Sequence, residues 1–231
     1  MKRRMAKFVG TVAFSTLGLV AVFAAHVLIA GPPQSGGEKA PAAMEPVPAL
    51  TPYVEAHTHI DEKDLEGTAR SGLAALGRQN ATRILVMPLP DTFDHQGHYD
   101  AEALLPLARK YPGKFAVLGG GGTLNAMIMQ SMSTGDAGPA VQKKFKERAE
   151  ELIREGVIGF GEMTAEHFDG ATPYQYAPAD HPLYLLLADI AAQHDVPINL
   201  HMEAVPETMP LPVGLKSPPN APQMHANIEA F

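Results

Sequence analysis

The sequence contains no cysteine among its 231 residues. Disulfide bonds, thiolate-bound metal sites and thiol nucleophiles are therefore excluded, because each of them needs a cysteine sulfur. A lipoprotein-type anchor is excluded for the same reason. Any transition-metal site in this chain must be built from histidine and carboxylate side chains, and the sequence has 10 His and 25 Asp and Glu to supply them.

Positive charge is also scarce. The chain has 18 Lys and Arg against 25 Asp and Glu, which gives a formal net charge of -7 at pH 7. A general nucleic-acid-binding protein needs a basic surface to contact phosphates. The charge balance therefore argues against nucleic acid as a partner. A small-molecule substrate is the expected ligand, and association into a homo-oligomer stays open.

Two further motifs are missing. No Gly-x-Ser-x-Gly segment, which is typical of the nucleophile elbow of serine hydrolases, occurs in the sequence. The glycine run Gly119–Gly122 is not followed by Lys-Ser or Lys-Thr, so it does not match a phosphate-binding loop. We interpret this run as a flexible exit from a strand.

The first 30 residues carry the pattern of an export segment. Four cations, Lys2, Arg3, Arg4 and Lys7, precede an apolar stretch from residue 8 to residue 30. This pattern is typical of a signal peptide, and the stretch is also long enough to span a bilayer. A cleaved signal and a retained membrane anchor both stay open. Both place the remaining chain outside the cytoplasm, in the periplasm or the extracellular space.

Residues 31–52 are rich in Pro, Gly and Ala, and they show no hydrophobic periodicity. Such a composition is typical of a linker. We therefore expect a folded domain at 53–231, with contact to a membrane confined to the N-terminal segment.

From residue 53 onward the sequence alternates between strand-like and helix-like patterns. Short apolar runs predict strands at 53–60, 83–87, 114–118, 157–163 and 197–203. Apolar residues at helical spacing predict helices at about 64–79, 100–111, 139–155 and 182–194. The Met-, Ser- and Gly-rich segment between 123 and 138 is interpreted as a loop. This order predicts an α/β fold with a parallel sheet, either an open doubly wound sheet or a (β/α)8 barrel.

Candidate metal ligands lie at the ends of three predicted strands. His57 and His59 are one residue apart, and alternate side chains of a strand share a face. Glu162 lies at the end of the fourth strand and His201 in the fifth. Functional residues of parallel α/β folds collect at the C-terminal ends of the strands, so we expect these four to meet. Three imidazoles and one carboxylate suit one or two divalent ions, with zinc first and manganese, iron or nickel as alternatives.

The loops that follow the strands carry the candidates for substrate binding. They are Asp94, His95, His167 and Glu203.

The spacing of these segments resembles a known family. His57-Thr58-His59, Gly161-Glu162 and Asn199-Leu200-His201, at these β/α intervals, resemble the amidohydrolase superfamily of metal-dependent hydrolases, and its amidohydrolase-related branch in particular. The resemblance covers the chain from about residue 53 to its end. It implies a TIM-barrel-like fold with about five of eight β/α units present. It also implies a metal-activated water that attacks a C–N, C–O or P–O bond, with Glu162 binding or bridging the metal.

The sequence departs from the family pattern after the fifth strand. The family continues with a metal-binding His on strand six and a catalytic Asp on strand eight, and neither has a counterpart among these 231 residues. We therefore expect the sequence to be a fragment of a longer protein, and its catalytic Asp to be absent from this chain.

The leading prediction is an exported, metal-dependent hydrolase. Some relatives in the same branch decarboxylate aromatic acids with a similar single-metal site, so a lyase of the same fold is the first alternative. A truncated, non-catalytic remnant or binding protein is the second.

Overall fold

The computed structural model describes residues 51–92, 99–167, 174–211 and 223–226. All of them belong to one compact unit. The predicted signal or anchor, and nearly all of the predicted linker, lie outside the described residues. No helix within the described ranges is long and apolar enough to cross a membrane.

Strands and helices alternate along the described chain, which confirms a mixed α/β fold with parallel strands. The helices are α1 (Leu65–Gln79), α2 (Ala101–Lys110), α3 (Leu124–Thr134), α4 (Pro139–Glu155) and α5 (Pro182–His194). The strands are β1 (Tyr53–Thr58), β2 (Ala81–Val86), β3 (Phe115–Val117), β4 (Gly119–Gly120), β5 (Phe160–His167), β6 (Gln175–Tyr176), β7 (Ile198–Met202), β8 (Met209–Pro210) and β9 (Gln223–Met224).

Capping residues set the helix ends close to the predicted bounds. Asp64 precedes α1, and its carboxylate accepts a hydrogen bond from the Gly67 N–H at 2.9 Å. Asn80 ends the same helix in the left-handed conformation at φ 57°, and Gly156 ends α4 at φ 108°. Such residues satisfy the free backbone groups at helix ends, so their positions in the sequence predict where a helix starts and stops.

The long strands run parallel in the order β1-β2-β3, and β5 lies between β4 and β7. The segment from β3 to β4 joins these two sets. The Leu118 N–H donates to the Val86 carbonyl at 3.0 Å, and the Gly119 N–H donates to the Gly159 carbonyl at 3.1 Å. The pairing partner of the chain therefore changes from β2 to β5 within two residues.

The sheet is strongly curled. In a flat sheet β1 and β7 would be about 19 Å apart, because four strand spacings of about 4.8 Å would separate them. Instead, the Asn199 side-chain amide on β7 lies 3.5 Å from the Ala56 carbonyl oxygen on β1. No ladder of backbone hydrogen bonds joins β7 to β1 within the described ranges, so the sheet curls without closing into a barrel.

Helix α3 corrects the prediction of a loop between 123 and 138. Its inner face includes the apolar Leu124 and Ile128, but also the buried polar residues Asn125 and Ser131. Asn125 is fully buried, and its side-chain oxygen accepts a hydrogen bond from the Thr164 N–H of β5 at 2.8 Å. These polar side chains interrupt the apolar pattern of the helix, and tertiary hydrogen bonds to other elements stabilise them.

The glycine run Gly119–Gly122 is buried, and it is closely packed rather than a flexible exit. A Cβ atom on Gly121 would lie 2.7 Å from the Pro88 carbonyl oxygen, and one on Gly122 would lie 2.0 Å from the Tyr99 carbonyl oxygen. Glycine is therefore required here because two other backbone segments approach too closely for a side chain.

Asp100 connects the start of α2 to this glycine run. Its Oδ1 accepts hydrogen bonds from the Ala101 and Gly120 N–H groups, both at 2.7 Å, and the Thr123 hydroxyl donates to its Oδ2. We predict that Asp100→Ala lowers the free energy of unfolding by about 2–4 kcal/mol, because two backbone donors lose their acceptor. Urea unfolding followed by circular dichroism measures this loss.

The matched control for Asp100→Ala is Asp136→Ala. Asp136 also accepts a backbone hydrogen bond, from the Gly138 N–H at 2.8 Å, but its side chain is exposed. Water can replace that acceptor, so we expect a change within about 0.5–1 kcal/mol. Equal effects of the two substitutions would contradict the role assigned to Asp100.

Candidate metal centre

Side chains at the C-terminal end of β1 and within β5 converge. The Nε2 atoms of His57 and His59 lie 3.2 Å apart. The Glu162 carboxylate lies 3.3 Å from Nε2 of His57 and 3.0 Å from Nε2 of His59. We call these three residues group one. Their donor atoms lie within 4.8 Å of one another and could hold a metal ion.

A backbone contact fixes the orientation of His59. Its Nδ1 lies 3.1 Å from the carbonyl oxygen of Met87. Since a carbonyl only accepts hydrogen bonds, Nδ1 carries the proton, and the neutral ring keeps its lone pair on Nε2. Metal-binding histidines are commonly held in this way. A neutral His59 therefore directs a lone pair toward Glu162, and two such acceptors require a cation or an added proton between them.

Glu162 is the most buried member of group one, with 1% of its surface exposed. Burial works to raise the pKa of its carboxyl group, but hydrogen bonds from His201 and His59 outweigh burial and lower this pKa to about 2. Burial also works to lower the pKa of His59, and the hydrogen bond with Glu162 reverses the direction and raises it. Glu162 is therefore ionised throughout the neutral pH range.

His201 on β7 connects group one to a second set of side chains. Its Nδ1 lies 2.7 Å from Oε1 of Glu162. Its Nε2 lies 2.8 Å from Nδ1 of His167 and 3.2 Å from Oε1 of Glu203. Hydrogen bonds with Glu162 and Glu203 raise the pKa of His201 to about 10, against the effect of burial. The structure thus brings all four predicted ligands together.

The second set is completed by a contact of 3.0 Å between Nδ1 of His167 and Oε1 of Glu203. We call His167, His201 and Glu203 group two, and their donor atoms could also hold a metal ion. Strand β5 continues to His167, beyond the predicted strand end at Met163, and this places His167 beside His201. The predicted substrate-binding role of His167 and Glu203 stays a prediction.

A buried carboxylate near the end of β5 was not predicted from the sequence. Glu166 has no exposed surface. It accepts hydrogen bonds from the Tyr174 hydroxyl at 2.7 Å and from the backbone N–H of His225 at 2.8 Å. The His225 ring stacks on Tyr176 with 3.8 Å between the ring centres. Glu166 and His225 are 59 positions apart, and no local spacing in the sequence indicates that they meet.

Comparisons with protein-family models, with curated proteins and with solved structures found no match for this chain. Two predicted substrate-binding residues, Asp94 and His95, lie outside the described residues. The chemistry of the site therefore follows from the contacts of groups one and two.

Group one has the spacing of a metal coordination face. The two Nε2 atoms lie 3.2 Å apart, and they contact different oxygens of Glu162, at 3.3 Å from His57 and 3.0 Å from His59. Ligands of a tetrahedral zinc ion are about 3.4 Å apart when the metal–ligand bonds are about 2.1 Å long. The His57 side chain is 44% exposed, so solvent reaches one side of the group. Three protein ligands beside an open position are typical of catalytic zinc sites.

Proposed function

We propose that the chain is a metal-dependent hydrolase of the amidohydrolase type, with a divalent ion, zinc first among the candidates, bound at group one. The observation that carries this proposal is the convergence of His57, His59 and Glu162, whose side chains meet although β1 and β5 are not neighbours in the sheet. Parallel α/β enzymes hold their active sites at the C-terminal ends of strands, and His57 and His59 lie at that end of β1. In this proposal the protein is exported, and it acts on a small molecule with a C–N, C–O or P–O bond.

The curl of the sheet supports a TIM-barrel-like arrangement within this proposal. Consecutive β/α units place β1, β2, β5 and β7 parallel to one another, and the curl brings Asn199 on β7 to Ala56 on β1. A curled parallel sheet collects the strand ends around one mouth, where side chains from distant strands meet. The histidines and carboxylates of both groups lie at that mouth in the proposed arrangement.

The residues of group one have distinct roles in this chemistry. A divalent ion in such a site supplies Lewis-acid catalysis, because it lowers the pKa of bound water and polarises a carbonyl or phosphoryl oxygen. Glu162 supplies the negative charge, since its pKa of about 2 keeps it ionised. His59 is oriented by its contact with Met87, and the exposed His57 lies on the side that solvent and substrate can approach.

Metal removal and replacement test the proposal. The full chain is stripped with a chelator and assayed with chromogenic amides, carboxylic esters and phosphate esters, with and without added zinc. We expect turnover of at least one of these substrate classes, loss of turnover after chelation, and recovery with zinc. His57→Ala should prevent the recovery, because it removes one of the three ligands.

The matched control is His194→Ala. His194 lies 2.9 Å from Glu150 on the surface, away from both groups, and its removal should leave the recovery unchanged. Turnover that survives both chelation and His57→Ala would refute the proposal. Release of CO2 from an aromatic carboxylic acid supplied in the same assay, without incorporation of oxygen from labelled water, would instead support the decarboxylase. A chain that binds no zinc at micromolar concentration would support the non-catalytic alternative.

A further inference from the structure

Group two forms a closed triangle of contacts. Nδ1 of His167, Nε2 of His201 and Oε1 of Glu203 are separated by 2.8, 3.0 and 3.2 Å. Each hydrogen bond can join only two of these atoms, and it uses one proton. Each of the three atoms can act as an acceptor. A cation above the face of the triangle contacts all three lone pairs at once. Two imidazoles and one carboxylate are a ligand set that divalent transition metals favour.

The orientation of the His201 ring separates this triangle from group one. Its Nδ1 lies against Glu162 at 2.7 Å, and its Nε2 is directed to His167 and Glu203. A histidine that binds a metal through one nitrogen commonly donates its other N–H to a carboxylate, which sets the tautomer. Glu162 occupies that position relative to His201. Nε2 of His201 is therefore oriented as a ligand of group two.

We infer that the protein holds a second divalent cation at group two, bound by His167, His201 and Glu203. His167 and Glu203 lie outside the ligand pattern of the amidohydrolase resemblance. The side chains of group two are between 17% and 30% exposed, so an ion from solvent can reach them. The inference extends the proposed function from one ion to two, and the ring of His201 lies between the two centres.

Counting zinc ions per chain tests the second centre. The metal-free full chain is equilibrated with buffered zinc, and bound zinc is measured by elemental analysis. We expect two ions per chain in the unmodified protein, one after His167→Ala, one after His57→Ala, and none in the double variant. His194→Ala should retain two. Glu203→Gln should weaken the second ion at least about tenfold. Cobalt(II) absorption spectra give an independent readout of each centre.

The outcomes separate this inference from the proposed function. One ion in the unmodified protein, lost in His57→Ala and kept in His167→Ala, would overturn the second centre and leave group one intact. Two ions retained after both His167→Ala and Glu203→Gln would also overturn it. An absence of bound zinc would overturn both centres. Circular dichroism shows whether His167→Ala is folded, and Glu203→Gln serves as the test if it is not.

Discussion

Replacing Glu162 with glutamine is expected to lower the zinc affinity of the protein at least about 100-fold. Glutamine has nearly the same shape, so the substitution removes the negative charge and leaves the packing intact. It also replaces one carboxylate oxygen with an NH2 group, which faces either His59 or His201, because the nitrogens of these two residues contact different oxygens, at 3.0 and 2.7 Å. A bound cation next to the buried Glu162 side chain loses its anionic partner in this variant, and a neutral amide oxygen offsets less of its charge.

The measurement is a competition for zinc between the protein and a chromophoric chelator at pH 7.5. The matched control is Glu66→Gln, because the exposed Glu66 forms its ion pair with Lys110 on the protein surface. That variant should keep the affinity of the unmodified protein. Equal affinities of the Glu162→Gln variant and the unmodified protein would exclude Glu162 as a metal ligand.

The ligands of group one could be predicted because the relevant patterns are local. Alternation along β1 places His57 and His59 on the same face, whatever the rest of the fold. The short apolar runs before Glu162 and around His201 predict two further parallel strands, although Glu162 lies near the start of β5 and not at its predicted end. The helix bounds could be predicted in the same way, from apolar residues at helical spacing. These features depend on neighbours within a few residues, so the sequence alone carries them.

The remaining features depend on tertiary contacts between distant segments. The direction of Nε2 in His201 follows from the positions of His167 and Glu203, and these depend on how far β5 continues. The polar residues Thr164 and Glu166 do not match a buried strand in sequence, yet both are fully buried. Glu166 is stabilised there by hydrogen bonds from the Tyr174 hydroxyl and the His225 N–H. A prediction based on apolar runs therefore places the end of such a strand too early.

Zinc affinity is also expected to depend steeply on pH, with an increase of about 100-fold between pH 7 and pH 9. In the metal-free protein the pKa of His201 is about 10, so this ring is protonated throughout that interval. An ion on Nε2 of His201 displaces the proton directly, and an ion on Glu162 withdraws the charge that retains it. Release of this proton on binding raises the affinity about tenfold for each pH unit, until the pH reaches the pKa. Competition with protons is therefore strongest at low pH.

The carboxylate contributes nothing to this pH dependence, because the pKa of Glu162 is about 2 and the group is ionised far below pH 7. Isothermal titration calorimetry in two buffers with different ionisation enthalpies counts the released protons at each pH, with zinc supplied from a chelator buffer.

His201→Gln is the informative variant, because it removes the titrating ring and keeps a polar side chain of similar length. Its zinc affinity should be lower and its pH dependence clearly flatter, because the ring that releases the proton has been removed. An unmodified protein whose affinity is constant from pH 7 to pH 9 would show that His201 is already neutral without metal. Its contacts with Glu162 and Glu203 would then not hold the proton that their distances of 2.7 and 3.2 Å imply.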